Sequence, residues 1–244
     1  MLTHKNKNEL HFIQSAGGRK AALRQEKGLV WNAAVLIALY FLLLVMPLIL
    51  TTVFRPQTDH LFIYELGKNF AVLGYTALIL QFVLSARLKW IEKPFGLDIV
   101  LQFHRMMGVV VVVLFLLHPL LLALSEKRWI LLYDFDVSWF IWTGRVVLLL
   151  ILFHVVVSAF RSLLRLDFEN WRSLHNILAV ILIAGGFLHS WFAGGDLRLL
   201  PIQILWVGLL ALAIGIFLEH RWWGQKRRFR IIDVLQETHN VWDD

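Results

Sequence analysis

The chain has 244 residues, 59% of them hydrophobic and 17% charged, with a mean hydropathy of +0.67; soluble domains carry about 25% charged residues, so an ordinary water-soluble globule is excluded. It has no cysteine, which removes disulfides, thiolate-bound zinc, iron–sulfur clusters and thiol nucleophiles, and leaves His, Asp, Glu or Met to hold any metal. The formal charge of +7 reads as loop asymmetry in a membrane protein, and no nucleic acid is expected as a partner.

A basic N-terminal tail, 1–28, precedes the first apolar run. A spanning helix needs about 20 mostly apolar residues, and the sequence predicts six, over 29–53, 62–87, 98–124, 137–163, 171–194 and 199–222. The first run is charge-free from Leu29 to Phe54, longer than a signal-peptide core of about 7–15 residues, so it reads as an uncleaved span. Lys and Arg in the tails, loops and adjoining span ends divide 17 to 4 in favour of the side that carries both tails, which places both termini in the cytoplasm. The expected fold is an all-α, multi-pass bundle of six helices in the cell membrane, the inner membrane in a bacterium, with lipid around it. In the tail 223–244, the stretch Phe229–Leu235 turns β-branched and reads as one strand without a partner.

Ionisable groups within a bilayer are costly, so each in-span residue of this kind is a candidate. His104 and His118 lie in the third span, His154 in the fourth, and His175 and His189 in the fifth. Each of the two pairs is separated by 14 residues, which leaves its members within about 40° of one helix face and about 21 Å apart. The third and fifth spans run in the same direction, so His104 comes level with His175 near the cytoplasmic side, and His118 with His189 near the outer side. Two stacked sites, each offering one imidazole from either side, suit two hemes with both axial positions filled by His, an arrangement for electron transfer.

Gly108 follows His104 by four residues and Gly186 precedes His189 by three, on faces where a porphyrin needs clearance or where two helices pack closely. His154 has no partner at its depth and reads as a structural histidine that could also lie near the inner heme edge. Arg105 can meet a propionate of the inner heme or snorkel to the headgroups. Arg145, two turns inside the fourth span, needs an anionic partner, and an outer heme propionate would serve. Lys68 can snorkel or attract an anionic iron chelate. Asp59 and His60 read as a solvated outer loop.

The segments His104-Arg-Met-Met-Gly108, Leu117-His118-Pro119, Trp171-Arg-Ser-Leu-His175 and Leu188-His189 resemble the ferric reductase-like transmembrane domain of ferric reductases and NADPH oxidases. The resemblance implies two b-type hemes, bound by His104 with His175 and by His118 with His189, that carry single electrons from a cytoplasmic flavin to an external acceptor. It implies an oxidoreductase fed by FAD and NAD(P)H, with a ferric chelate preferred to O₂ as acceptor. The segment Phe229–Trp242 resembles the opening strand of the FAD-binding barrel that follows the sixth helix in that family. A flavin and a nicotinamide domain need a hundred residues or more each, so a flavoprotein partner or a longer chain is expected to supply them. The related heme subunit of the periplasmic methionine sulfoxide reductase system, which relies on a separate flavin reductase, lacks the first histidine of the third span; His104 favours the two-heme branch. The other readings are a cytochrome exchanging electrons with quinone or a periplasmic partner, and a His-lined metal or proton transporter.

Overall fold

The computed structural model describes the backbone of residues 3–54, 62–224, 235–238 and 241–243, and the side chains between 28 and 219 apart from 55–61, 196, 198 and 217. The helices are α1 (Thr3–Phe54), α2 (Phe62–Ser85), α3 (Lys89–Phe95), α4 (Leu97–Ser125), α5 (Trp139–Ala159), α6 (Phe168–Ala193) and α7 (Leu200–Gly224). Two strands follow, β1 (Leu235–Thr238) and β2 (Val241–Asp243).

Among the described residues, five helices are long and apolar enough to cross a membrane: 28–54 of α1, then α2, α4, α5 and α6. The chain is therefore a multi-pass membrane protein. The sixth predicted span is shorter in its apolar part, Leu200–Ile216. The fourth ends at Ala159 rather than 163, and the chain then turns through to Leu166. The short α3 between the second and third spans was not anticipated; it begins where Leu88 accepts from the Ile91 and Glu92 amides and closes on Gly96, whose φ of +80° suits glycine. At the C-terminal end β1 pairs antiparallel with β2 through Leu235 with Asp243 and Gln236 with Trp242. Residues 229–234 of the predicted strand, like Asp59 and His60, lie outside the described residues.

Lipid tails are as apolar as leucine, so helices in a bilayer associate through close packing and hydrogen bonds rather than through a hydrophobic drive. The bundle is built accordingly. α2 packs most extensively against α4, and α5 against α6. Along α2, Gly67 meets Leu121 and the His118 carbonyl, and Gly74 meets Phe115; a side chain at either position would hold the helices apart. The core joins α2, α4, α5, α6 and α7 around Tyr75, Val111, Ile151, Leu182 and Trp206. Tyr75 stacks on Trp206 at 5.2 Å and its hydroxyl donates to the Ile183 carbonyl at 3.0 Å, which ties α2 to α6 and α7. α1 lies at the periphery, with most of its large apolar side chains exposed.

Candidate functional site: two facing histidine pairs

α4 and α6 carry the four histidines, yet among the described residues these two helices do not pack along their length. Their imidazoles meet across the gap. The rings of His104 and His175 lie 6.2 Å apart, and those of His118 and His189 6.5 Å apart. A metal ion midway, with bonds of about 2.0 Å to each imidazole nitrogen, sets ring centres about 6 Å apart.

Each ring is held by its Nδ1. His118 Nδ1 lies 2.9 Å from the Gly67 carbonyl and His189 Nδ1 lies 2.7 Å from the Phe140 carbonyl. A carbonyl only accepts, so in both rings Nδ1 carries the proton and donates, and Nε2 keeps its lone pair for a ligand. Holding the second nitrogen in this way is how metal-binding imidazoles are oriented. His175 Nδ1 lies 3.3 Å from the Ser158 hydroxyl, which also accepts from Trp171 Nε1 at 3.4 Å. The amide of Gln81, turned to satisfy its neighbours, places its nitrogen 2.6 Å from His104 Nδ1 and lets its oxygen accept from the Gly108 amide at 3.1 Å. In this orientation the amide nitrogen donates to Nδ1; a His104 protonated at Nδ1 would need the amide oxygen there instead, so the ring's tautomer and the turn of Gln81 are set together.

The spacing that marks the histidines recurs in their antiparallel neighbours. Gly67 and Gln81, 14 residues apart on α2, serve His118 and His104; Gly144 and Ser158, 14 apart on α5, touch His189 and His175. Gln81, Ser158, Gly67 and Gly144 escaped the sequence reading. Their signal was available: a polar side chain within a charge-free span needs a partner, and two pairs repeated the histidine interval.

The other predicted residues fall as follows. A Cβ on Gly108 would meet nothing within 4 Å, so this position borders open space beside His104. The room beside Gly186 is instead taken by the Tyr75 ring, which a Cβ would approach to 2.7 Å; its packing reading holds. Arg105 is exposed. Arg145 finds its partners in the loop before α5, donating to the carbonyls of Asp134 and Leu131 and lying over the Trp142 ring at 5.1 Å. Backbone acceptors thus take the place of the anion expected for it. Lys68 pairs with Glu65 at 3.6 Å, and Arg172 with Glu169 at 3.4 Å. His154 was expected to be alone at its depth, but its ring lies 4.2 Å from that of His175. α5 runs antiparallel to α6 through a short turn, so a residue near the end of one comes level with a residue near the start of the other.

Residues 70–186 match the family described as ferric reductase like transmembrane component. Over that segment the chain is similar to ferric reductase-like transmembrane components. The matched segment runs from within α2 to within α6 and includes His104, His118 and His175, with His189 three residues beyond it. An uncharacterized protein of Archaeoglobus fulgidus is 32% identical over 120 residues, covering 46% of this chain and 66% of the relative, just under two thirds of its length. No solved structure matches.

The donor set of the two histidine pairs fits heme. Each site offers two facing imidazoles, and among the described residues no group of three or more His, Asp or Glu is placed to hold a metal ion. Two facing imidazole nitrogens with no third protein ligand suit an ion whose remaining positions would be supplied by a planar, four-coordinate macrocycle. The separation of α4 and α6 and the open space at Gly108 leave room for one. Gly108→Leu is accordingly expected to lower the heme bound at the His104 level while sparing the outer one, read as heme per chain with the reduced spectrum.

Proposed function

We propose that this domain conducts electrons across the membrane through two bis-histidine b-type hemes, from a reduced flavin on the cytoplasmic side to an external acceptor, Fe(III) in preference to O₂. The observation that carries the reading is the facing of two imidazole pairs on α4 and α6, with their Nδ1 atoms anchored. Heme, when bound, supplies one-electron exchange between Fe(III) and Fe(II).

The chain's own residues do the rest. His104 and His175 hold the inner site, with Gln81 and Ser158 fixing their rings; His118 and His189 hold the outer one, fixed by two backbone carbonyls. Held between two imidazoles, a heme would supply electron transfer rather than oxygen binding. Val111, Leu182 and Ile183, all buried, lie between the two levels and keep water out. In this reading the bundle spans six times with both termini cytoplasmic. FAD and NAD(P)H belong to a flavoprotein partner or a further part of the protein. Each dihydroflavin oxidised gives two electrons, hence two Fe(III) reduced outside, and leaves its protons on the cytoplasmic side. Anchored rings favour fixed ligands over the stepping sites of a transporter, which must release their ion.

The test is a reduced-minus-oxidised spectrum of the purified chain together with a transport assay. Two low-spin b-hemes per chain are expected, as is reduction of a ferric chelate enclosed in proteoliposomes when reduced flavin is added to the cytoplasmic face. A heme-free protein would sink the proposal; reduction by quinol and not by flavin would move it to the quinone-linked alternative.

A further inference from the structure

The inner site contains one imidazole more than the outer one. The ring of His154 lies 4.2 Å from that of His175, tilted by 40°, close enough to stack on it from the α5 side. Its Nδ1 is buried and has no hydrogen-bond partner. A buried polar nitrogen left unpaired is costly, and this one sits beside a ligand rather than in a distant packing niche.

The contrast with the four facing rings is informative. Each of them has its Nδ1 engaged by Gln81, Ser158 or a backbone carbonyl. His154 has no such anchor, so it is not built as a resident ligand, and no hydrogen bond at Nδ1 must break for its ring to turn. The three inner imidazoles do not converge on one point, since no three-ligand group is present among the described residues. His154 instead lies beside His175, its ring centre 4.2 Å away. Because α5 and α6 are tightly packed, a move of His154 into the place of His175 asks for side-chain rotation within a fixed backbone.

We propose that His154 is a reserve axial ligand of the inner heme, able to ligate opposite His104 when His175 is released or lost. The proposal rests on the two-heme reading above. It makes the two sites unequal. Fourteen residues before His154, at the outer level, α5 carries Phe140, which offers His189 only its carbonyl; the outer iron therefore has no substitute for His189.

The experiment measures heme per full-length chain by pyridine hemochromogen, and ligation by low-temperature EPR. His175→Ala is expected to keep close to two low-spin hemes, His154→Ala also two, and the double variant one. His189→Ala, with His154 intact, should keep one. If His175→Ala alone drops to one heme, as His189→Ala does, the reserve-ligand proposal is overturned while the two-heme reading survives; a heme-free wild type instead removes that reading. Should His175→Ala fail to accumulate in membranes, Ser158→Ala decides, because it leaves every imidazole in place and loosens His175. A second inner low-spin signal is then expected, lost when His154→Phe is added, and a single unchanged inner signal in both variants overturns the proposal.

Discussion

Replacing His189 with Ala is expected to remove the outer heme, halve the heme content and stop electron transfer to an external acceptor. His189 supplies the α6 side of the outer pair, 6.5 Å from His118, and its Nδ1 proton is committed to Phe140, so the ring cannot be replaced by one from a neighbouring turn. The inner pair lies about 21 Å away along the helix, beyond a buried apolar layer, and should keep its spectrum. An electron delivered there would have no second stop before the outer surface. Heme analysis and ferric chelate reduction in sealed proteoliposomes check both halves of the result. Equal loss of both hemes would break the pairing by depth on which the site rests.

Gly144→Ala should strike directly at the outer site. A Cβ at this position would come 2.5 Å from Cε1 and 2.6 Å from Nδ1 of His189, under any normal contact. The ring is fastened through a 2.7 Å hydrogen bond to Phe140 on the same helix, so it cannot yield without losing the anchor that fixes its tautomer. Overpacking of this kind costs about 1–3 kcal/mol, a factor of roughly 5 to 150 in an equilibrium constant. We expect loss or distortion of the outer low-spin signal with the inner one retained. Gly208→Ala on α7, where a Cβ meets nothing within 4 Å, is the matched control and should leave both signals unchanged. An undisturbed outer signal in Gly144→Ala would mean that His189 does not hold the place described.

How far the sequence could be read follows from which interactions are periodic. The histidine pairs were legible because a 14-residue interval is a property of one helix and needs no knowledge of its neighbours. Depth was legible for helices running the same way, and it brought His104 opposite His175. His154 was misplaced because it sits on an antiparallel helix, where level depends on the length of the connecting turn. The partners of Arg145 are main-chain carbonyls of Leu131 and Asp134, which every residue possesses and no sequence advertises. The opposite holds for Gly186, whose neighbour Tyr75 lies more than a hundred residues away on another span. Gln81 and Ser158 were readable in principle, since each lies 14 residues from a glycine that touches the other histidine of the same helix.

The separation of α4 from α6 has a consequence for assembly. α2 with α4, and α5 with α6, form two tightly zippered helix pairs, each of which already holds half of every site: Gln81 with His104 and Gly67 with His118 in one, Ser158 with His175 and Gly144 with His189 in the other. Such jaws can form while the chain is still being inserted, before any cofactor arrives. Within the polypeptide, Tyr75 already ties the first pair to α6 and α7; under the two-heme proposal a heme at each level would add a clasp from outside, and a cell short of heme would accumulate inserted bundles held by the polypeptide's own tie alone.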